Sequence, residues 1–127
     1  MPKRVLALTA LLFLLSFPLA HAGDAAHSYV ELTDAPTITV DWSKGSTQTV
    51  TLKGNRTLTF LNGQKGGKYI LILKEDATGS RTVTWPSFVH WPGTYGPTLT
   101  TTAGKADYIV FIDNGVSYDM VAISQGL

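Results

Sequence analysis

The sequence predicts an all-β fold, a single antiparallel β-sandwich of jelly-roll or Greek-key type with about eight strands. Three observations carry that expectation. Several short runs alternate apolar and polar residues with the two-residue period of a half-buried strand, and Gly, Asn, Asp and Pro punctuate them at close spacing. No long run shows helical periodicity.

Residues 28–32 supply a first short strand. Residues 37–42, Thr-Ile-Thr-Val-Asp-Trp, alternate cleanly, with Ile38, Val40 and Trp42 on one face and Thr37, Thr39 and Asp41 on the other. Residues 48–53 and 56–60 repeat the alternation, and Gly54-Asn55 between them is a two-residue loop suited to a tight hairpin, so these strands are expected to pair as neighbours. Thr49, Thr51, Thr57 and Thr59 then share one polar, β-branched outer face, a pattern that an ordinary half-buried sheet explains better than an ice-binding array. After the loop Asn62-Gly-Gln-Lys-Gly-Gly67, residues 69–74 form a continuous apolar run that fits a central strand covered on both faces. Further strands are expected at 81–85 and 98–101. A second apolar run at 108–113, the turn signal Asp113-Asn-Gly115 and a return at 117–123 make a C-terminal hairpin.

The N-terminus reads as a secretory signal. Lys3 and Arg4 give a positive start, residues 5–15 an apolar stretch, and Ala20-His21-Ala22 a small-x-small cleavage site. Residues 1–22 are therefore expected to be cleaved and residues 23–127 to form one domain, secreted or periplasmic in a bacterium. The apolar stretch is shorter than the ~20 residues of a bilayer span, and no later segment could provide one, so no membrane span is expected after signal removal.

Of 10 basic residues, losing Lys3 and Arg4 leaves eight against nine acidic ones. The survivors are scattered among turns and strand ends, so no electrostatic stripe for nucleic acid forms. The absence of cysteine rules out disulfides, thiolate metal sites and thiol nucleophiles.

From residue 57 onward the pattern becomes specific: Thr57-Leu-Thr-Phe, a Gly-rich loop, Tyr69-Ile-Leu-Ile-Leu, Glu75-Asp-Ala-Thr-Gly-Ser-Arg-Thr-Val-Thr-Trp-Pro, Trp91-Pro-Gly, Pro97-Thr-Leu-Thr, Ala103-Gly and Asp107 onward. It resembles small β modules of bacteriophage tail-fibre and other virion structural proteins, over residues 47–123, with 76–92 the most distinctive part. The resemblance implies a β-sandwich with structural or surface-recognition duties and no assigned catalytic residues. A phage-encoded copy would sit on the virion surface. Such modules usually belong to larger virion proteins without an export signal, so a secreted bacterial protein derived from a prophage module is the other reading.

Little in the chain points to catalysis. A Ser-His-Asp triad would have to use His27 or His90, and no Gly-x-Ser-x-Gly elbow accompanies either. The carboxylates Glu31, Asp34, Asp41, Glu75, Asp76, Asp107, Asp113 and Asp119 fall mostly at turns or strand ends, where turn chemistry explains them. Neither Glu75-Asp76-Ala-Thr-Gly79 nor Asp113-Asn-Gly115 has the acidic spacing of a calcium loop, and two distant histidines give no zinc set. No enzyme activity, metal or cofactor is expected. The one constellation suited to a ligand is aromatic. Trp85, Phe88, Trp91 and Tyr95 fall in one Pro- and Gly-rich excursion, and Trp91, Tyr95 and Trp85 are the candidates for stacking on a glycan. The competing expectation is that the two tryptophans close one end of the core. Expected partners are other copies of the chain, as a homo-oligomer, or a cell-surface polysaccharide. A monomeric carbohydrate-binding module is the alternative function, and a small secreted hydrolase a weaker one.

Overall fold

A computed structural model describes residues 28–127. The expected signal, its cleavage site and His27 lie outside the described residues.

Among the described residues nine strands form: β1 (Tyr29–Glu31), β2 (Thr37–Asp41), β3 (Thr47–Leu52), β4 (Arg56–Leu61), β5 (Lys68–Glu75), β6 (Val83–Thr84), β7 (Val89–His90), β8 (Ala106–Asp113) and β9 (Tyr118–Ser124), with one 3₁₀ turn at Trp42–Lys44. The all-β class holds. The antiparallel arrangement does not. Strands fall into a six-stranded sheet in the order β1-β3-β5-β8-β9-β7 and a three-stranded sheet in the order β2-β4-β6. Only β5–β8 and β8–β9 are antiparallel, while every pairing in the smaller sheet is parallel.

The reason is visible in the chain's path. From β1 to β6 successive strands alternate between the two sheets, so the backbone winds as a short two-sided coil before finishing in an antiparallel hairpin. The expected β3–β4 hairpin is corrected accordingly: β3 pairs with β1 and β5, and β4 with β2 and β6. A tight hairpin of type I′ needs positive φ at both turn residues, and neither Gly54 nor Asn55 adopts it. The corner carries the chain across the core instead. Its position is fixed by neighbours in the adjacent coil, since Arg56 grips Asp34 through two bonds of 2.9 and 2.7 Å and the Asn55 side chain accepts from Thr82 N at 3.0 Å.

The burial pattern follows the strand period. Val50 and Leu52 of β3, Leu71 and Leu73 of β5, and Ile109 and Phe111 of β8 point inward from the large sheet, meeting Ile38, Val40, Leu58 and Phe60 from the small one in a single cluster. Phe111 and Ile109 are fully buried, as is the polar Gln48. Central strand β5 behaves as its apolar run predicts, with Ile72 on the outer face also buried. The C-terminal hairpin forms, with a bulge between Val110 and Phe111. Residues 98–101, expected as a strand, run outside the ladders. Thr100 N instead donates to the Asp107 carboxylate at 2.7 Å, and Ser80 N to the Thr101 carbonyl at 2.8 Å. Of residues 81–85 only Val83 and Thr84 pair, and β7 is a strand that the sequence did not announce.

The coil also explains why no repeat is legible in the sequence. Tyr29 aligns with Thr47 and Thr47 with Ile70, whereas Thr37 aligns with Thr57 and Thr57 with Thr84, so successive windings differ in length by several residues. A fixed period would need equal windings. The outward threonines are divided by the same path: Thr49 and Thr51 lie on the large sheet, Thr57 and Thr59 on the small one.

Candidate functional site

The three aromatic residues singled out from the sequence separate into two groups. Trp85 and Trp91 meet edge to face at 4.9 Å between ring centroids, and each packs on Phe111, at 6.0 and 6.2 Å. Trp85 also reaches Phe60 at 6.5 Å. Both tryptophans are half-buried against the main core cluster. They pack as large apolar groups against one side of the core. Tyr95 stands apart, with 85 % of its surface exposed. Gly96 beside it passes so close to Trp91 that an added Cβ would lie 3.2 Å from the indole.

A second feature was not predicted. An open cleft of about 780 Å³ lies between the 3₁₀ turn and residues 62–67, lined by residues that include Trp42, Ser43, Asn62, Gln64, Lys68 and Tyr69. Its walls are tied together. Asp41 accepts from Ser43 N at 3.0 Å, Ser43 Oγ at 2.6 Å and Asn62 Nδ2 at 3.0 Å, so one carboxylate joins the turn to the facing loop. Hydrogen bonds from Ser43 and then Asn62 hold the Asp41 carboxyl below its usual range. On the other side, Tyr118 Oη accepts from Gly63 N at 3.1 Å and Tyr69 Oη from Gln64 N at 2.9 Å. Burial, reinforced by the nearby Asp113 carboxylate, pushes the Tyr118 hydroxyl up. Gly63 is required by this close approach, since a Cβ there would collide with the Tyr118 hydroxyl and the Asp113 carboxylate.

The floor of the cleft is aromatic. Trp42 stacks on Tyr69 at 4.7 Å with an interplanar angle of 22°. Beneath the turn, Gln48 Nε2 donates to the carbonyls of Asp41 at 2.6 Å and Gly45 at 3.0 Å, which fixes the turn from inside the core. Trp42 Nε1 is buried and meets no acceptor among the described residues.

The charged residues considered for chemistry are placed as follows. Ser117 Oγ and Asp119 Oδ1 lie 3.1 and 3.2 Å from His90, both at Nδ1. A triad needs the hydroxyl and the carboxylate on opposite ring nitrogens, so this cluster does not have the geometry of a proton relay. Asp76 pairs with Arg81 at 2.9 Å and also accepts from Thr78 N and Gly79 N; the guanidinium bond and these amides hold its carboxyl down to about 2. Glu75 is buried, which pushes its carboxyl up, although Arg81 N donates to it at 2.9 Å. Asp107 is equally buried, but burial is outweighed by bonds from Thr100, Gly126 and Gln125, which leave it lowered. No group of three or more His, Asp and Glu side chains is arranged to hold a metal ion among the described residues.

Sequence reasoning missed the cleft because its lining comes from two separated stretches that the parallel β2–β4 and β3–β5 pairings bring together. The available signal was the six-residue polar loop at 62–67, which spacing alone marks as a connection.

Comparison with known proteins gives one result. The family model described as "Putative phage tail fibre C-terminal domain" matches residues 32–118. No curated protein and no solved structure matches the chain.

Proposed function

The chain belongs to the phage tail fibre C-terminal domain family, and from that membership we propose that it is a non-enzymatic structural module whose copies associate through the outer face of the six-stranded sheet. The observation that carries this reading is the composition of that face. One row across the strands places Tyr29, Thr47, Ile70, Val110 and Ala122 side by side, and the next places Glu31, Thr49, Ile72, Tyr108 and Ser124. Tyr29 is 64 % exposed and Tyr108 39 %, so the band meets solvent at its tyrosines, while Ile72 between them is buried. The apolar members of the two rows, Ile70, Ile72, Val110, Tyr108 and Ala122, adjoin across β5, β8 and β9, and an apolar strip of this kind favours a covered state over a solvated one.

A second copy is the occupant that fits. Glu31 and Lys74, of opposite sign, border the strip on the same face, so a two-fold related copy can set each acid against the other's base. A comparison of two variants tests the proposal by light scattering on a sizing column. Tyr108→Glu is expected to reduce the oligomer to monomer with the fold retained, while Tyr95→Ala leaves the mass unchanged; an unchanged mass in Tyr108→Glu would contradict the proposal.

Recognition of a cell-surface polysaccharide is the second reading, and the exposure of Tyr95 between Pro92 and Pro97 favours it, since a stiff loop loses little entropy on binding. A monomeric carbohydrate-binding module would use that loop alone, with Trp91 and Trp85 supporting it from the core. Virion-surface location accords with the family. Secretion or periplasmic location rests on residues 1–22. Among the described residues, no helix is long and apolar enough to cross a membrane.

A further inference from the structure

We propose that the cleft between the 3₁₀ turn and residues 62–67 is a binding site for a carboxylate-bearing saccharide. The cleft borders the proposed association face, sharing Thr47 and Ile70 with it, and none of its lining residues is Trp85, Trp91 or Tyr95.

Size and chemistry point the same way. A volume of about 780 Å³ lies within the usual range of small-ligand pockets, enough for two or three sugar rings. The ten lining residues comprise one cation, Lys68, and no carboxylate. The same lining holds two amides, Asn62 and Gln64, and the hydroxyls of Ser43, Ser46 and Thr47, with Ile70 as an apolar wall and the buried Trp42–Tyr69 stack beneath. Amides and hydroxyls both donate and accept, which suits the hydroxyl groups of a sugar, and the ammonium suits a carboxylate. Lys68 takes part in no ion pair with a described residue.

Rigidity is the second argument. Asp41 braces the turn against Asn62, Gln48 pins the turn from below, and the Tyr69 and Tyr118 hydroxyls hold the backbone of Gln64 and Gly63. A cleft with so many of its walls fixed in advance loses little conformational entropy on binding. The Trp42 indole N–H is buried without an acceptor, which makes its NMR signal a reporter of change at this wall of the cleft.

Titration followed by NMR on the full chain, observing the Trp42 indole signal, tests the site. The probes are acidic trisaccharides of galacturonate, mannuronate and sialic acid, the methyl ester of each, and acetate. At least one acidic trisaccharide is expected to shift the Trp42 signal, with its ester binding about tenfold more weakly and acetate not at all. Lys68→Ala should lower affinity for the acid to that of the ester, and Tyr95→Ala should change neither. No shift with any trisaccharide, equal affinity for acid and ester, binding of acetate alone, or loss of binding in Tyr95→Ala would each overturn the proposal. Because the titration reads binding and not mass, its failure is distinct from failure of the assembly reading.

Discussion

Asp76 holds the corner between β5 and β6 through Arg81 and two backbone amides, and its carboxyl is lowered from 3.8 to about 2. A carboxyl lowered on folding stabilises the native state above its unfolded value, and that contribution is lost as pH falls. Stability is therefore expected to drop between about pH 3.8 and about 2, and Asp76→Asn to flatten the drop in a thermal melt series across that window. The drop should not vanish, since Asp34, Asp41 and Asp107 are lowered too. Glu75 has the opposite sign. Burial raises its carboxyl above 4.5, so its neutral form favours the fold and the benefit is lost as pH rises through the raised value. Glu75→Gln is expected to melt higher than the natural chain at pH 7 and to match it below pH 4.5; a lower melting temperature at pH 7 would contradict the assignment. At the centre of the core, Phe111 is fully buried against Phe60, Trp85 and Trp91. Phe111→Ala is expected to cost about 3–5 kcal/mol in urea unfolding.

Among the elements, what the sequence reveals is the inward and outward assignment of each strand, because alternation depends on the pleat alone. Val50, Leu52, Leu58 and Phe60 are all inside, as their spacing implies. Partner choice is not encoded by that period. Residues flanking Gly54-Asn55 have the same alternation whether the chain folds back as a hairpin or crosses to the opposite sheet, and the backbone torsions, the Arg56–Asp34 grip and the Asn55–Thr82 bond distinguish the two. The C-terminal hairpin was legible because Asp113 and Asn114 act within their own turn, with Asp113 Oδ1 accepting from Gly115 N at 2.7 Å and Asn114 Oδ1 from Ser117 N at 2.9 Å. The aromatic excursion was half legible. The packing of Trp85 and Trp91 against the core follows from size, whereas the cleft at Trp42 and Tyr69 depends on which strands are neighbours. Gln48 links strand and cleft, since it lies on β3 with its side chain under the 3₁₀ turn. Gln48→Ala is expected to destabilise by about 1–3 kcal/mol and to shift the Trp42 indole signal, because the carbonyls of Asp41 and Gly45 lose their donor.

For the molecule as a whole, the two outer faces differ in character. The small sheet presents Thr37, Thr39, Thr57, Thr59 and Thr84, and the large sheet an apolar strip with exposed tyrosines. Among the described residues β1, β2, β6 and β7 each pair on one side only, and all but β2 have three residues or fewer, which limits unselective pairing. The proposed association through a face and not an edge accords with that asymmetry and with a module of tail-fibre kind. The most direct measurement is the solution mass of the chain, expressed from its full sequence, by light scattering from about 1 µM to about 1 mM, a range that captures affinities down to the weakest specific complexes. A defined oligomer that persists on dilution is the expected result. A monomer throughout the range would contradict assembly through the large sheet.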